Sequence, residues 1–188
     1  HLLSHSSGLV PNAYDNLIES RMDYPGIVEK LLSVKPICKP GECYGYQNVM
    51  FSLIGDVILQ STDKSYGQWL REAIFEPLKM KNTLFNPLNN GSIDKIAATS
   101  HGNPYETRMV NDASLGMKPD GLDPNQWNGW RRYTLKGEVN DGNTWYANNG
   151  ISGHAGLFST IEDLQKLIDL LKQKGKTMIK QFSELVSS

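Results

Sequence analysis

The sequence predicts a mainly α chain with long ordered loops and few short strands. Three observations carry that expectation. Apolar residues recur at helical spacing in several separate stretches, of which Met50, Leu53, Ile54, Val57 and Ile58 form the widest stripe. Alternating βαβ units are missing, and so is a glycine-rich phosphate loop. Between positions 86 and 149 the chain is rich in Gly, Asn, Asp and Pro and has no periodicity of its own. It nevertheless carries Trp127, Trp130, Trp145 and Tyr146, large aromatics that favour an ordered loop packed on the body.

Each element follows from local signals. Residues 1–25 read as a short helix end and then a loop, broken by Ser6, Ser7, Gly8, Pro11, Asn12 and Pro25. Residues 26–34 place Ile27, Val28, Leu31 and Leu32 at helical spacing, and Pro36 ends that helix. Asn48 is an N-cap for the helix that runs to about Leu59. A further helix spans 66–75, with Trp69, Leu70, Ala73 and Ile74 inward and Pro77 as its stop, followed by a short extended piece up to Phe85. After the loop-rich stretch, Ser159 and Glu162 have capping-box spacing. Leu164, Leu167, Ile168 and Leu171 form the expected inner face, and Gly175 ends the helix. A weak helix over 178–186 closes the chain. We expect one partial domain over 1–188, with the segment 86–149 inside it.

Composition excludes several functions. With 188 residues the chain can bury a core. Its net charge is −1 and its basic residues do not cluster, so no nucleic-acid partner is expected. No apolar run approaches the roughly 20 residues of a membrane span. The chain opens as "HLLSHSSGL", without Met and already inside an apolar run, and reads as a piece of a longer protein. Cys38 and Cys43 bracket Pro40 and Gly41, whose tight turn brings the two Cα atoms within disulfide reach. Two free thiols in a loop are the alternative.

The candidates for chemistry are few. Ser61/Lys64 and Ser92/Lys95 have Ser-x-x-Lys spacing, in which an amine helps deprotonate a hydroxyl. Neither serine opens a buried apolar helix, so both read as chance matches. His1, His5, His101 and His154 are scattered and make no metal site; His1 and His5 have i, i+4 spacing but no intervening Glu. His101 and His154 sit among glycines, as structural hydrogen-bonders in tight turns or as pocket-lining groups. Tyr46, two residues before Asn48, has two readings. It is a half-buried tyrosine ahead of a capping asparagine, or a phenol acting as general base toward a serine with the asparagine orienting a lysine or a substrate amide.

Four segments bear on that choice: "HLLSHSSGL" at 1–9, "PGECYGYQNVMFSLIGDVI" at 40–58, "FEPLKMKNTLF" at 75–85 and "GHAGLFSTIEDLQKL" at 153–167. In this order they resemble the serine beta-lactamase-related family, which spans class C beta-lactamases, low-molecular-weight penicillin-binding proteins and related esterases. The resemblance covers nearly the whole chain. It implies an α+β fold with a mostly helical insert, to which this chain corresponds, and an active site between the two parts. It implies Tyr46 and Asn48 as the Tyr-x-Asn motif. His154, as a pocket-lining group, and Trp145, in the aromatic loop that walls the pocket, are further expected substrate contacts.

The Ser-x-x-Lys nucleophile motif of the family precedes "HLLSHSSGL" and is not in this chain. The third motif, Lys-Thr-Gly or His-x-Gly on a strand, is missing too. His154-Ala155-Gly156 leads into a helix, and Lys176-Thr177 is followed by Met178. The implied function is acyl-enzyme hydrolysis of a beta-lactam, D-amino peptide or ester, with no cofactor and no metal. The partners expected are a small-molecule or peptide substrate and the remaining α/β part of the protein. The location expected is periplasmic, secreted or cell-envelope. The alternative is a non-catalytic module that binds or senses cell-wall peptides.

Overall fold

The structure is a computed structural model and describes residues 1–9, 24–46, 48, 50–90, 93–115 and 129–173. The expectations for Ser92, Trp127, Lys176 to Met178, Gly175 and the helix over 178–186 lie outside those residues.

Two helices make the core. Helix α1 (Tyr24–Ser33) ends ahead of Pro36 and turns Val28 and Leu31 inward. Helix α2 (Met50–Thr62) starts on Met50, which is fully buried. Val28, Leu31, Met50, Leu53 and Ala147 form one cluster, with Leu2 and Leu9 packed against it. Each fully buried large side chain there contributes roughly 1.5–3 kcal/mol. The predicted stripe of α2 holds for its first two turns. Beyond them Ile58 stays half-buried, while Val57 and Leu59 are exposed.

Ser65 caps α3 (Tyr66–Leu70), accepting from the Gln68 N–H. The helix continues as a π turn over Arg71–Phe75, with Phe75 buried. Strand β1 (Leu84–Phe85) pairs antiparallel with β4 (Leu157–Phe158). Strand β2 (Ala98–His101) pairs antiparallel with β3 (Thr134–Lys136), with an irregularity in register.

The segment 86–149 is thus more regular than its lack of periodicity predicts. It also holds α4 (Pro104–Asn111) and α5 (Gly142–Ala147), each too short for an apolar stripe. Local caps define both helices. Asn103 accepts from the Glu106 N–H, and Asp141 accepts from the Thr144 N–H.

Helix α6 (Ile161–Lys172) corrects two expectations. Its cap is Thr160, which accepts from the Asp163 N–H, one residue later than the predicted Ser159/Glu162 box. Its predicted inner face is mostly turned out: Leu164, Ile168 and Leu171 are exposed and Leu167 is half-buried, while Asp163 and Leu170 are buried. The reason is polar. The Asp163 carboxylate accepts from the Asn82 N–H, the Thr83 hydroxyl and the Lys166 ammonium, and these bonds fix the helix rotation. Burial raises the Asp163 pKa, but the Lys166 bond and the other donors outweigh it and hold the carboxyl below its ordinary value.

Candidate active site

The N-terminal segment and the cysteine hairpin lie side by side. Backbone bonds run from Ile37 N–H to Gly8 O, from Gly41 N–H to Ser6 O and from Gly45 N–H to His5 O. A disulfide joins Cys38 and Cys43, whose Cα atoms are 6.3 Å apart. The chain therefore leaves this hairpin in a fixed direction and enters α2 four residues past Tyr46.

Tyr46 is 64% exposed and Asn48 is exposed, while Met50 is fully buried. The two polar side chains thus stand on the surface at the mouth of a helix whose first residue is anchored in the core. The His5 ring packs on Tyr46 with centroids 4.5 Å apart, and on Phe51 at 5.2 Å. His5 holds a positive φ of 54°, and its carbonyl accepts the Gly45 N–H. Sequence reasoning weighed His5 only as a metal ligand. The signal that pointed elsewhere was an aromatic run on the partner segment, Tyr44 to Tyr46.

His154 lies in the interior, its side chain 3% exposed. Its Nδ1 is 2.8 Å from the Ser152 hydroxyl, and its Nε2 is 3.3 Å from Asp141 Oδ1 and 3.2 Å from Thr144 Oγ1. Asp141, His154 and Ser152 have the connectivity of an orienting carboxylate, a base and a nucleophile. With Ser152 only 5% exposed, no carbonyl substrate reaches it. His154 therefore meets neighbouring side chains rather than an open surface. Burial pushes the Asp141 carboxyl up, but the His154 hydrogen bond and charge and the Thr144 bonds hold it below its ordinary value.

Trp145 is half-buried, with the Arg131 guanidinium 4.8 Å above its ring. That guanidinium also donates to the Val139 and Asn140 carbonyls. Of the Ser-x-x-Lys matches, Lys64 is tied to Glu72 at 2.6 Å, which removes it from Ser61. His101 bonds Thr134 Oγ1 at 3.1 Å and lines an open cleft of about 380 Å³ with Pro104, Trp130 and Arg132. Among the described residues no group of three His, Cys, Asp or Glu side chains is placed to hold a metal ion. No helix there is long and apolar enough to cross a membrane.

Known proteins share this arrangement of chain. A protein named N-acetylmuramyl-L-alanine amidase from Bacillus subtilis is 30% identical over 93% of this chain and 37% of its own length. A putative D-alanyl-D-alanine carboxypeptidase from Salmonella paratyphi B is 34% identical over 73% of this chain and 28% of its own length. This chain thus spans about a third of the curated relatives it matches. The D-amino acid amidase of Ochrobactrum anthropi SV3 superposes with a TM-score of 0.55 at 22% identity, over 92% of this chain and 44% of that one. The octameric penicillin-binding protein homologue of Pyrococcus abyssi gives 0.56 at 19% identity, over 93% and 34%. These two likenesses show that the chain shares the fold of the D-amino acid amidase and the penicillin-binding protein homologue. The Beta-lactamase family pattern matches residues 1–185, and the chain belongs to that family.

Proposed function

We propose that this chain is the largely helical part of a serine hydrolase that acts through an acyl-enzyme on an amide or peptide bond. The observation that carries the reading is the exposed Tyr46 side chain, with Asn48 two residues on, at the core-anchored start of α2. The nucleophilic serine and its lysine belong to the rest of the protein. The serine oxygen attacks the carbonyl while its proton passes to the Tyr46 oxygen and the Tyr46 proton passes to the lysine amine. The tetrahedral intermediate then collapses, and the proton now on Tyr46 moves to the departing amine. Water reverses the sequence to release the acid. Asn48 holds the lysine or the substrate amide.

The names of two relatives, a D-alanyl-D-alanine carboxypeptidase and a D-amino acid amidase, favour a substrate with a D-amino acid at the scissile bond, and that of the third, an N-acetylmuramyl-L-alanine amidase, favours an L-alanine amide. A location outside the cytoplasm fits the Cys38–Cys43 disulfide. The outward stripe of α6 is the expected contact with the remaining α/β part.

The test uses the full-length protein, D-amino acid amides, D-alanyl-D-alanine peptides and a fluorescent beta-lactam. Tyr46→Phe is expected to cut turnover by about 10²–10⁴-fold with the thermal midpoint unchanged. Full activity in that variant removes Tyr46 from the mechanism. A wild-type protein that stays unlabelled and inactive on all three favours the peptide-binding module instead.

A further inference from the structure

Three buried side chains, Ser52, Ser152 and His154, and the partly exposed Asp141 form a line that runs under the Tyr-x-Asn motif. The Ser52 hydroxyl lies 3.1 Å from the Ser152 hydroxyl, and both residues are buried. Ser152 continues to His154 Nδ1 at 2.8 Å, and His154 Nε2 continues to Asp141 Oδ1 at 3.3 Å. Ser52 stands in the first turn of α2, four residues beyond Asn48 and six beyond Tyr46.

The backbone reinforces this line. A Cβ on Gly153 would collide with the Phe51 carbonyl oxygen, so the 152–154 loop lies directly on that same turn. Thr144, fully buried, supports His154 from α5, and Ala147 of the same helix joins Met50 and Leu53 in the core. The first turn of α2 is therefore gripped by apolar contacts on one side and by hydroxyls on another.

The chemistry gives the line a direction. An ionised Asp141 only accepts, so His154 Nε2 carries the hydrogen toward it. In the neutral imidazole Nδ1 is then the acceptor, and Ser152 donates to it. The Ser152 oxygen is left to accept from Ser52. The Ser152 rotor is set by His154, and a low-dielectric interior makes that link stiff.

We infer that Asp141, His154 and Ser152 form a positioning strut that acts through Ser52 to set the first turn of α2 and hence the placement of Tyr46 and Asn48. None of the three touches substrate. The inference rests on the catalytic reading of Tyr46 and goes beyond it by assigning the motif its support. A proton-shuttling phenol tolerates little displacement, because a shift of about 1 Å costs roughly 10²-fold in rate. Ground-state binding, made elsewhere on the substrate, is far less sensitive.

The experiment compares Ser52→Ala, Ser152→Ala and the double variant with Tyr46→Phe, all in the full-length protein, with circular dichroism to confirm folding. Each serine variant is expected to lower kcat about 10-fold or more while KM stays within about twofold, the mark of an effect confined to the transition state. The double variant is expected to lose no more than the worse single one, since both cut the same line. Normal kcat in folded Ser52→Ala or Ser152→Ala, beside an inactive Tyr46→Phe, overturns the strut and leaves the catalytic reading standing. Additive losses overturn it as well. A fully active Tyr46→Phe removes the catalytic reading and the strut together. Should Ser152→Ala fail to fold, Ser52→Ala decides alone, by the same kcat and KM criteria.

Discussion

Glu106 is a carboxyl that folding places badly for a charge. Its oxygens accept from the Gly142 N–H at 2.8 Å and from the Asn103 amide at 3.0 Å. Gly142 is tight against it, since any Cβ there would meet the carboxylate. Burial pushes the Glu106 pKa up to about 7, and the Asp141 charge adds to this; the Gly142 N–H and the Arg131 charge oppose it without prevailing. The folded carboxyl thus keeps its proton where the unfolded one, near 4.5, has lost it. Its contribution to stability is complete below pH 4.5 and disappears as pH rises toward 7. From the shift, that contribution is on the order of 3 kcal/mol. A Glu106→Gln variant lacks the titration. Denaturant midpoints between pH 4 and 8 are expected to show the variant gaining on the wild-type protein through this window and holding its gain above pH 7.5. Parallel curves would mean that Glu106 ionises normally in the fold.

Helices and hairpins show which signals reach from sequence to structure and which do not. Helices α1, α2 and α6 were legible because each has enough turns for an apolar period to stand out. Helices α4 and α5 were not, because single caps at Asn103 and Asp141 define them without any stripe. The facing of α6 misled for another reason. Periodicity tells which residues share a face, not what that face meets, and the buried Asp163 bonds settle the rotation instead. The candidate pair Tyr46 and Asn48 stands out in the sequence as a motif; the hydrogen-bonded line behind it does not, since Ser52 and Ser152 are 100 residues apart. The cysteine hairpin offers its own test. Its Cys38–Cys43 bridge closes a loop with a sequence separation of 5, for which the chain-entropy relation gives about 2 kcal/mol. The double variant Cys38→Ser/Cys43→Ser is expected to lose that much in denaturant unfolding. It should also speed hydrogen exchange at Gly41 and Gly45, whose N–H groups bond the 1–9 segment. Unchanged exchange there would show that the hairpin holds its direction without the bridge.

At the scale of the whole molecule, the described residues carry a run of exposed apolar side chains on α6. Ile161 is 83% exposed and Leu171 is 67% exposed, and Leu164 and Ile168 lie between them on one face of α6. Four apolar side chains aligned over three turns make a contiguous patch, and such patches mark interfaces. The chain covers 37% and 28% of the two relatives, and on the proposed reading the remainder of a longer protein covers the patch. Covered and uncovered forms should then respond oppositely to one change. In the isolated 188-residue chain, Leu164→Glu/Ile168→Glu puts charge on a wet surface and is expected to reduce self-association in light scattering. In the full-length protein the same pair would bury two carboxylates without partners, which costs several kcal/mol, and the thermal midpoint is expected to fall sharply. If the full-length midpoint does not move, α6 faces water in the complete enzyme too, and the patch must be assigned to a separate partner rather than to the other half of the fold.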